Sequence, residues 1–268
     1  MTLRTVALCG GVLLGATLAS PGSARAQEEE VDTGASPAPA ENPTTRAAAA
    51  GAFLPFTQAA SSDGQRGSAV GLAGYDSARH TGMFESAAQV RVWGPVSLRG
   101  GAVYTSGDRV LRPSFGGRVQ LLHEGRQGVD GAVGVFYRPE GLTEPEGEIE
   151  SVLSVGAHAG QTYLLGNLLY GQDPEGNERD GEARFAALRP IRSRFLVGLD
   201  GRLRFDLGSD AAKLAAHNEA TLDAMFGPSA TALVGPIAVS IQGGGSAVRL
   251  RASTAYGMFA GIGIGTSL

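Results

Sequence analysis

From Ser68 onward one pattern recurs: short stretches in which apolar and polar residues alternate, parted by breaks that are in turn short and long. Phe84-Glu85-Ser86-Ala87-Ala88-Gln89-Val90-Arg91-Val92 is one such stretch, and residues 194–206, from Arg194 to Asp206, are another. Alternation with period two places successive side chains on opposite sides of a strand, giving each stretch one apolar and one polar face. About a dozen such stretches with no helical period between them predict an all-β fold, a closed antiparallel up-and-down barrel.

The N-terminus indicates which face meets which solvent. Arg4, the apolar run Val6–Ala19 and the triplet Ala24-Arg25-Ala26 have the three-part layout of a secretory signal peptide, cleaved after Ala26. The run is shorter than the roughly 20 residues a membrane-spanning helix needs. In an exported barrel of this kind the apolar face is expected to look outward into lipid, making the strands transmembrane. Cys9, the only cysteine, falls inside the signal, so the exported chain carries no thiol for a disulfide, a metal or a nucleophile. Val6-Ala7-Leu8 lacks the small residue expected before a lipid-modified cysteine. The net charge of −4 becomes −6 once Arg4 and Arg25 are removed, which argues against nucleic acid as a partner.

Residues 27–66 read as a disordered periplasmic linker and lead-in: Glu28-Glu29-Glu30, Pro37, Pro39, Pro43 and Ala47–Ala50 cannot bury a core. Within the lead-in, Phe53-Leu54-Pro55-Phe56 suits either a simple approach to the barrel or a plug-like contact. The barrel is expected over 67–268, with strands at 68–76, 84–93, 96–106, 113–123, 129–138, 149–159, 161–171, 182–189, 194–206, 213–226, 229–241 and 247–266. Gly227-Pro228 and Gly235-Pro236 both look like breaks. The likeness of Leu233-Val234-Gly235-Pro236-Ile237 to Val92-Trp93-Gly94-Pro95-Val96 favours the second as the turn. Gln242–Ser246 reads as the last connection. The odd connections are mostly long and charged, among them Arg138–Glu148 and Gln172–Gly181, and the even ones mostly tight. Long outer loops and short periplasmic turns produce this order.

Tyr104, Tyr137, Tyr170 and Phe205 fall at the long-loop ends of the third, fifth, seventh and ninth strands, in phase with the apolar face. That predicts a ring of interface aromatics. With these features the chain resembles bacterial outer-membrane β-barrel proteins as a class, porin-like but with no specific family. The resemblance covers the signal, the linker and Ser68–Leu268. It implies an outer-membrane location, lipid and the barrel insertion machinery as partners, and a last strand read by that machinery. Met258, Ala260, Ile262, Ile264 and Leu268 supply that strand's alternation, with Leu268 where an aromatic residue is usual.

The polar faces are where function is expected. Glu85, Arg91, Arg99, Arg118, Glu182, Arg184, Asp200, Arg202, Arg204, Glu219 and Asp223 are candidate lumen-lining residues, able either to tune a passage for ions and small solutes or to pair and fill the interior. Ser154 and His158 share a face but stand about 13 Å apart along a strand, too far for a nucleophile and its base. No site motif for a metal, phosphate or cofactor occurs; Gly243-Gly244-Gly245 reads as a loop, and Gly261-Ile262-Gly263-Ile264-Gly265 as a strand with a bare inner face. The expectation is a non-enzymatic porin-like passive channel or a structural envelope component. Two alternatives stand beside it. One is a soluble barrel with Val133, Leu164 and Val197 facing an apolar ligand inside; the other is an adhesion or receptor surface on loops 140–150 and 173–182.

Overall fold

The computed structural model describes residues 56–60, 66–107, 109–139, 147–174, 178–208, 220–250 and 253–267. The predicted signal peptide, most of the linker, Glu219 and Leu268 lie outside these. Twelve strands follow in order: β1 Gly67–Asp76, β2 Thr81–Trp93, β3 Val96–Thr105, β4 Val110–Leu122, β5 Asp130–Pro139, β6 Gly147–Ala159, β7 Thr162–Gln172, β8 Arg179–Arg192, β9 Phe195–Asp206, β10 Leu222–Val234, β11 Ile237–Arg249 and β12 Thr254–Ser267. Each pairs antiparallel with its neighbours in sequence. β1 also pairs with β12, from Ser68↔Ser267 to Asp76↔Phe259, which closes the barrel. Closure leaves no strand edge with unpaired N–H and C=O groups. One helical turn, Glu124–Gln127, interrupts the β4–β5 connection and ends on Gly128 at φ 78°.

The first nine strands fall near their expected places; the last three are displaced. The expected strands at 213–226, 229–241 and 247–266 give way to β10, β11 and β12, while residues 213–219 and 251–252 lie outside the described residues. Gln242–Ser246 is not a loop but the middle of β11, and Gly227-Pro228 lies within β10. The turn is Gly235-Pro236, with Gly235 at φ 60°. The cause lies in the β10–β11 contact. Rungs run to Phe226↔Gly245 and resume at Ser229↔Gln242, spanning the proline that has no N–H to give. A Cβ at Gly227 would overlap the backbone of Gly243 and Gly244, and one at Gly244 the backbone of Phe226 and Gly227. Glycine here permits close backbone approach within the wall rather than a turn.

The two faces of the wall have opposite chemistry. Leu98, Phe115, Val135, Leu168, Ile241 and Ile262 each expose about half of their surface on the outside. Arg118, Glu150, Asn167, Asp200 and Asp223, of inward parity, are buried. This is the outside-in arrangement of a barrel that sits in lipid. The apolar-ligand alternative required the reverse, and it is not what the chain adopts: Val133, Leu164 and Val197 lie on the outer face at 40%, 45% and 39% exposure. Tyr104, Tyr137, Tyr170 and Phe205 stand on the same outer face toward the long-loop ends of β3, β5, β7 and β9, and Tyr75 and Tyr256 extend the set to β1 and β12. Trp93 stands exposed at the opposite end. Placing a charge at mid-height on the outer wall, as in Leu168→Arg, should cost about 2–4 kcal/mol of folding stability in bilayers, read from urea titration of refolding into vesicles.

Candidate functional site

The inside of the barrel holds a piece of its own chain. Residues 56–60, upstream of β1, form no strand but cross the lumen, with Phe56, Thr57, Ala59 and Ala60 all buried. Three inward side chains hold them. Asp200, at the midpoint of β9, accepts hydrogen bonds from the Phe56 N–H at 3.4 Å and the Thr57 hydroxyl at 2.7 Å. Asn167, at the midpoint of β7, accepts from the Gln58 N–H at 2.7 Å and donates to the Gln58 carbonyl at 2.9 Å. Arg118 of β4 donates to the Ala60 carbonyl at 2.5 Å. The Phe56 ring packs on Met225 and Phe259, 5.5 Å from the Phe259 ring, and the Arg202 guanidinium lies 5.3 Å from its centre. A main chain threaded through a lumen must find partners for its peptide groups. The sequence supplies them at mid-height on three separate strands.

Toward the long-loop end the lumen is lined by paired charges. Arg202 and Arg79 both reach Asp223, at 2.9 and 3.0 Å, and Arg184 reaches Glu182 at 2.7 Å. Arg138 bridges Glu148, at 3.5 Å, and Glu150; Arg204 pairs with Asp180, and Arg99 with Glu85 at 3.6 Å. Arg79 comes from the β1–β2 loop, which bends over β12 where Gly257 leaves it room. Toward the short-turn end the inner face turns apolar, with Tyr163, Leu165, Ala186, Leu188 and Leu196 clustered and Leu233 packed against them. The third sector, on β12, presents Gly261, Gly263 and Gly265 inward, which is the bare face expected there.

Of the candidate lumen residues, Glu85, Arg91, Arg99, Arg118, Glu182, Arg184, Asp200, Arg202, Arg204 and Asp223 have inward parity, while Glu219 lies outside the described residues. Most are drawn into ion pairs, and Asp200 and Arg118 are the two that hold the crossing segment. Sequence reasoning passed over Asn167, which sits on the otherwise apolar inner face Tyr163-Leu165-Leu169. It also passed over Arg138, Glu148, Glu150 and Asp180, assigned to loops or strand ends. Ser154 and His158 do not meet: Ser154 accepts a hydrogen bond from Asn167, and His158 contacts Glu124 at 2.6 Å and stacks on Tyr163. Among the described residues no group of three potential metal ligands occurs.

No protein-family model matches the chain, and no curated protein matches it in sequence. Solved structures similar in fold include two porins. One is the NanC porin, at a TM-score of 0.53 and 11% identity over 75% of this chain and 100% of that one. The other is the KdgM porin, at 0.50 and 8% over 75% and 99%. At such identities the likeness is one of architecture: this chain has the fold of the outer-membrane porins, a closed barrel of twelve antiparallel strands.

The site can be probed through the crossing segment. In a Cys9→Ser background, Gln58→Cys should react slowly with a polar maleimide. Adding Asn167→Ala or Asp200→Ala should speed labelling about tenfold or more, the factor implied by losing hydrogen bonds worth roughly 1–3 kcal/mol.

Proposed function

We propose that the protein is an outer-membrane channel of the porin kind for ions and small polar solutes, closed at mid-lumen by its own residues Phe56–Ala60. The observation that carries this reading is the meeting of two features: a lumen lined by charged side chains of both signs, and a segment of the chain bound across it by five hydrogen bonds. A barrel of twelve strands encloses more than the small eight-stranded kind, whose own side chains fill the inside. Here a stretch of main chain occupies that extra space. Export by a signal peptide cleaved after Ala26, passage through the insertion machinery and residence among outer-membrane lipids belong to the same reading. So do the short turns on the periplasmic side. No catalytic step is assigned, since the histidine and serine best placed for one are engaged elsewhere.

Closure makes the electrical signature specific. In planar bilayers the wild-type barrel should conduct rarely or in small steps. Replacing Phe56–Ala60 by a Gly-Ser stretch of the same length, or combining Asp200→Ala with Asn167→Ala, should give long-lived steps of larger conductance. A folded barrel that stays silent with the segment replaced would leave the structural envelope role in place of the channel.

A further inference from the structure

The groups that hold residues 56–60 also describe what else could sit there. Of the five hydrogen bonds to the segment, four go to main-chain atoms: the Phe56 N–H, the Gln58 N–H and carbonyl, and the Ala60 carbonyl. Asn167 acts as a neighbouring strand would, taking one N–H and giving one N–H to the same residue. Main-chain recognition of this sort supplies affinity without reading sequence, and selectivity then comes from the seats of the side chains. Two seats are well defined. The first residue is an aromatic ring wedged between Met225 and Phe259 beneath Arg202. The fourth and fifth are alanines, 6% and 0% exposed, enclosed positions that favour small side chains. Asp200 rewards a hydroxyl at the second. The third residue, Gln58, is the least enclosed, and its main chain alone is gripped.

We propose that the lumen is a binding site for an extended peptide whose pattern is aromatic, hydroxyl-bearing, any residue, small, small. The chain's own Phe56–Ala60 occupies the site in the closed barrel, and a free peptide of the same pattern takes it when that segment is displaced. This deepens the channel reading, on which it rests only for the peptide's way in. The tether matters to affinity. A segment joined to β1 through a few residues competes at an effective concentration in the millimolar range, so a free peptide meets strong competition in the wild-type chain. Carbohydrates and inorganic ions lack the alternating N–H and C=O groups that Asn167, Asp200 and Arg118 address.

The test uses the full chain in detergent with Phe56–Ala60 replaced by a five-residue Gly-Ser stretch, and a fluorescent, end-capped Phe-Thr-Gln-Ala-Ala peptide as the probe, read by anisotropy. Binding should be saturable. It should weaken at least tenfold in the wild-type chain, where the tethered segment competes, and at least tenfold in the replaced chain carrying Asn167→Leu. A peptide N-methylated at its glutamine should bind at least tenfold more weakly to unaltered protein side chains, and one ending Ala-Leu should not bind. Heat-modifiable mobility on a gel confirms that each variant is folded. Absence of saturable binding, or binding indifferent to N-methylation, would overturn the proposal. Since anisotropy needs no current, a barrel that binds the peptide but never conducts refutes the channel alone, and one that conducts but does not bind refutes the peptide site alone.

Discussion

A strand that enters hydrocarbon has no water to satisfy its peptide groups, and an unpaired N–H or C=O there costs several kcal/mol. The pairing of β1 with β12 meets that demand, and the rest of the molecule depends on it. Once the sheet is closed, strand number is even, both ends of the barrel wall emerge at the short-turn end, and every second side chain is committed to lipid. Leu98, Phe115, Leu168 and Ile262 are the consequence on the outside. The same constraint gathers the polar residues of twelve strands into one confined interior, where they have to be satisfied by one another, by water or by added chain.

The interior meets that requirement differently in each sector. Near the long-loop end, arginines and carboxylates on adjacent strands face each other, as in Arg202–Asp223 and Arg204–Asp180, since inward residues of paired strands lie side by side. Near the short-turn end, Tyr163, Leu188 and Leu196 close the space with apolar surface. At mid-height the inward polar groups Asp200, Asn167 and Arg118 find partners in residues 56–60, Asn167 bonding the neighbouring Ser154 as well. Removing that segment would leave three polar groups without those partners, while a solvated lumen could hydrate them. A ligand shifts the balance between these two states by as much as its affinity for them differs.

Much of this architecture was legible in the sequence, because alternation, loop length and aromatic placement are all local signals with period two. The register of 84–93 and 194–206 and the outward parity of Tyr104 and Tyr170 follow from it directly. The errors arose where glycine removed the signal. Gly243-Gly244-Gly245 has no side chains to alternate, so it read as a loop, and only the close packing of Gly244 on Gly227 accounts for it as strand. The crossing segment was harder still: five residues without period show nothing of where they bind, and Phe56 could be noted only as a lead-in or plug-like contact. Asn167 was hidden by its company, a single amide on an inner face of tyrosine and leucines. Its role exists only once β7 and residue 58, over a hundred positions apart, are brought together.

Lumen, charge pairs and crossing segment all follow from which face of the wall meets lipid. Spin labels placed one at a time along β9 in vesicles, with collision rates to oxygen and to a water-soluble nickel chelate, measure this most directly. Alternation with period two is expected: labels at positions 197, 199 and 203 collide with oxygen and are shielded from nickel, while those at 200 and 202 are shielded from lipid-borne oxygen. Uniform collision rates, or alternation of the opposite phase with nickel reaching 197, 199 and 203, would contradict it.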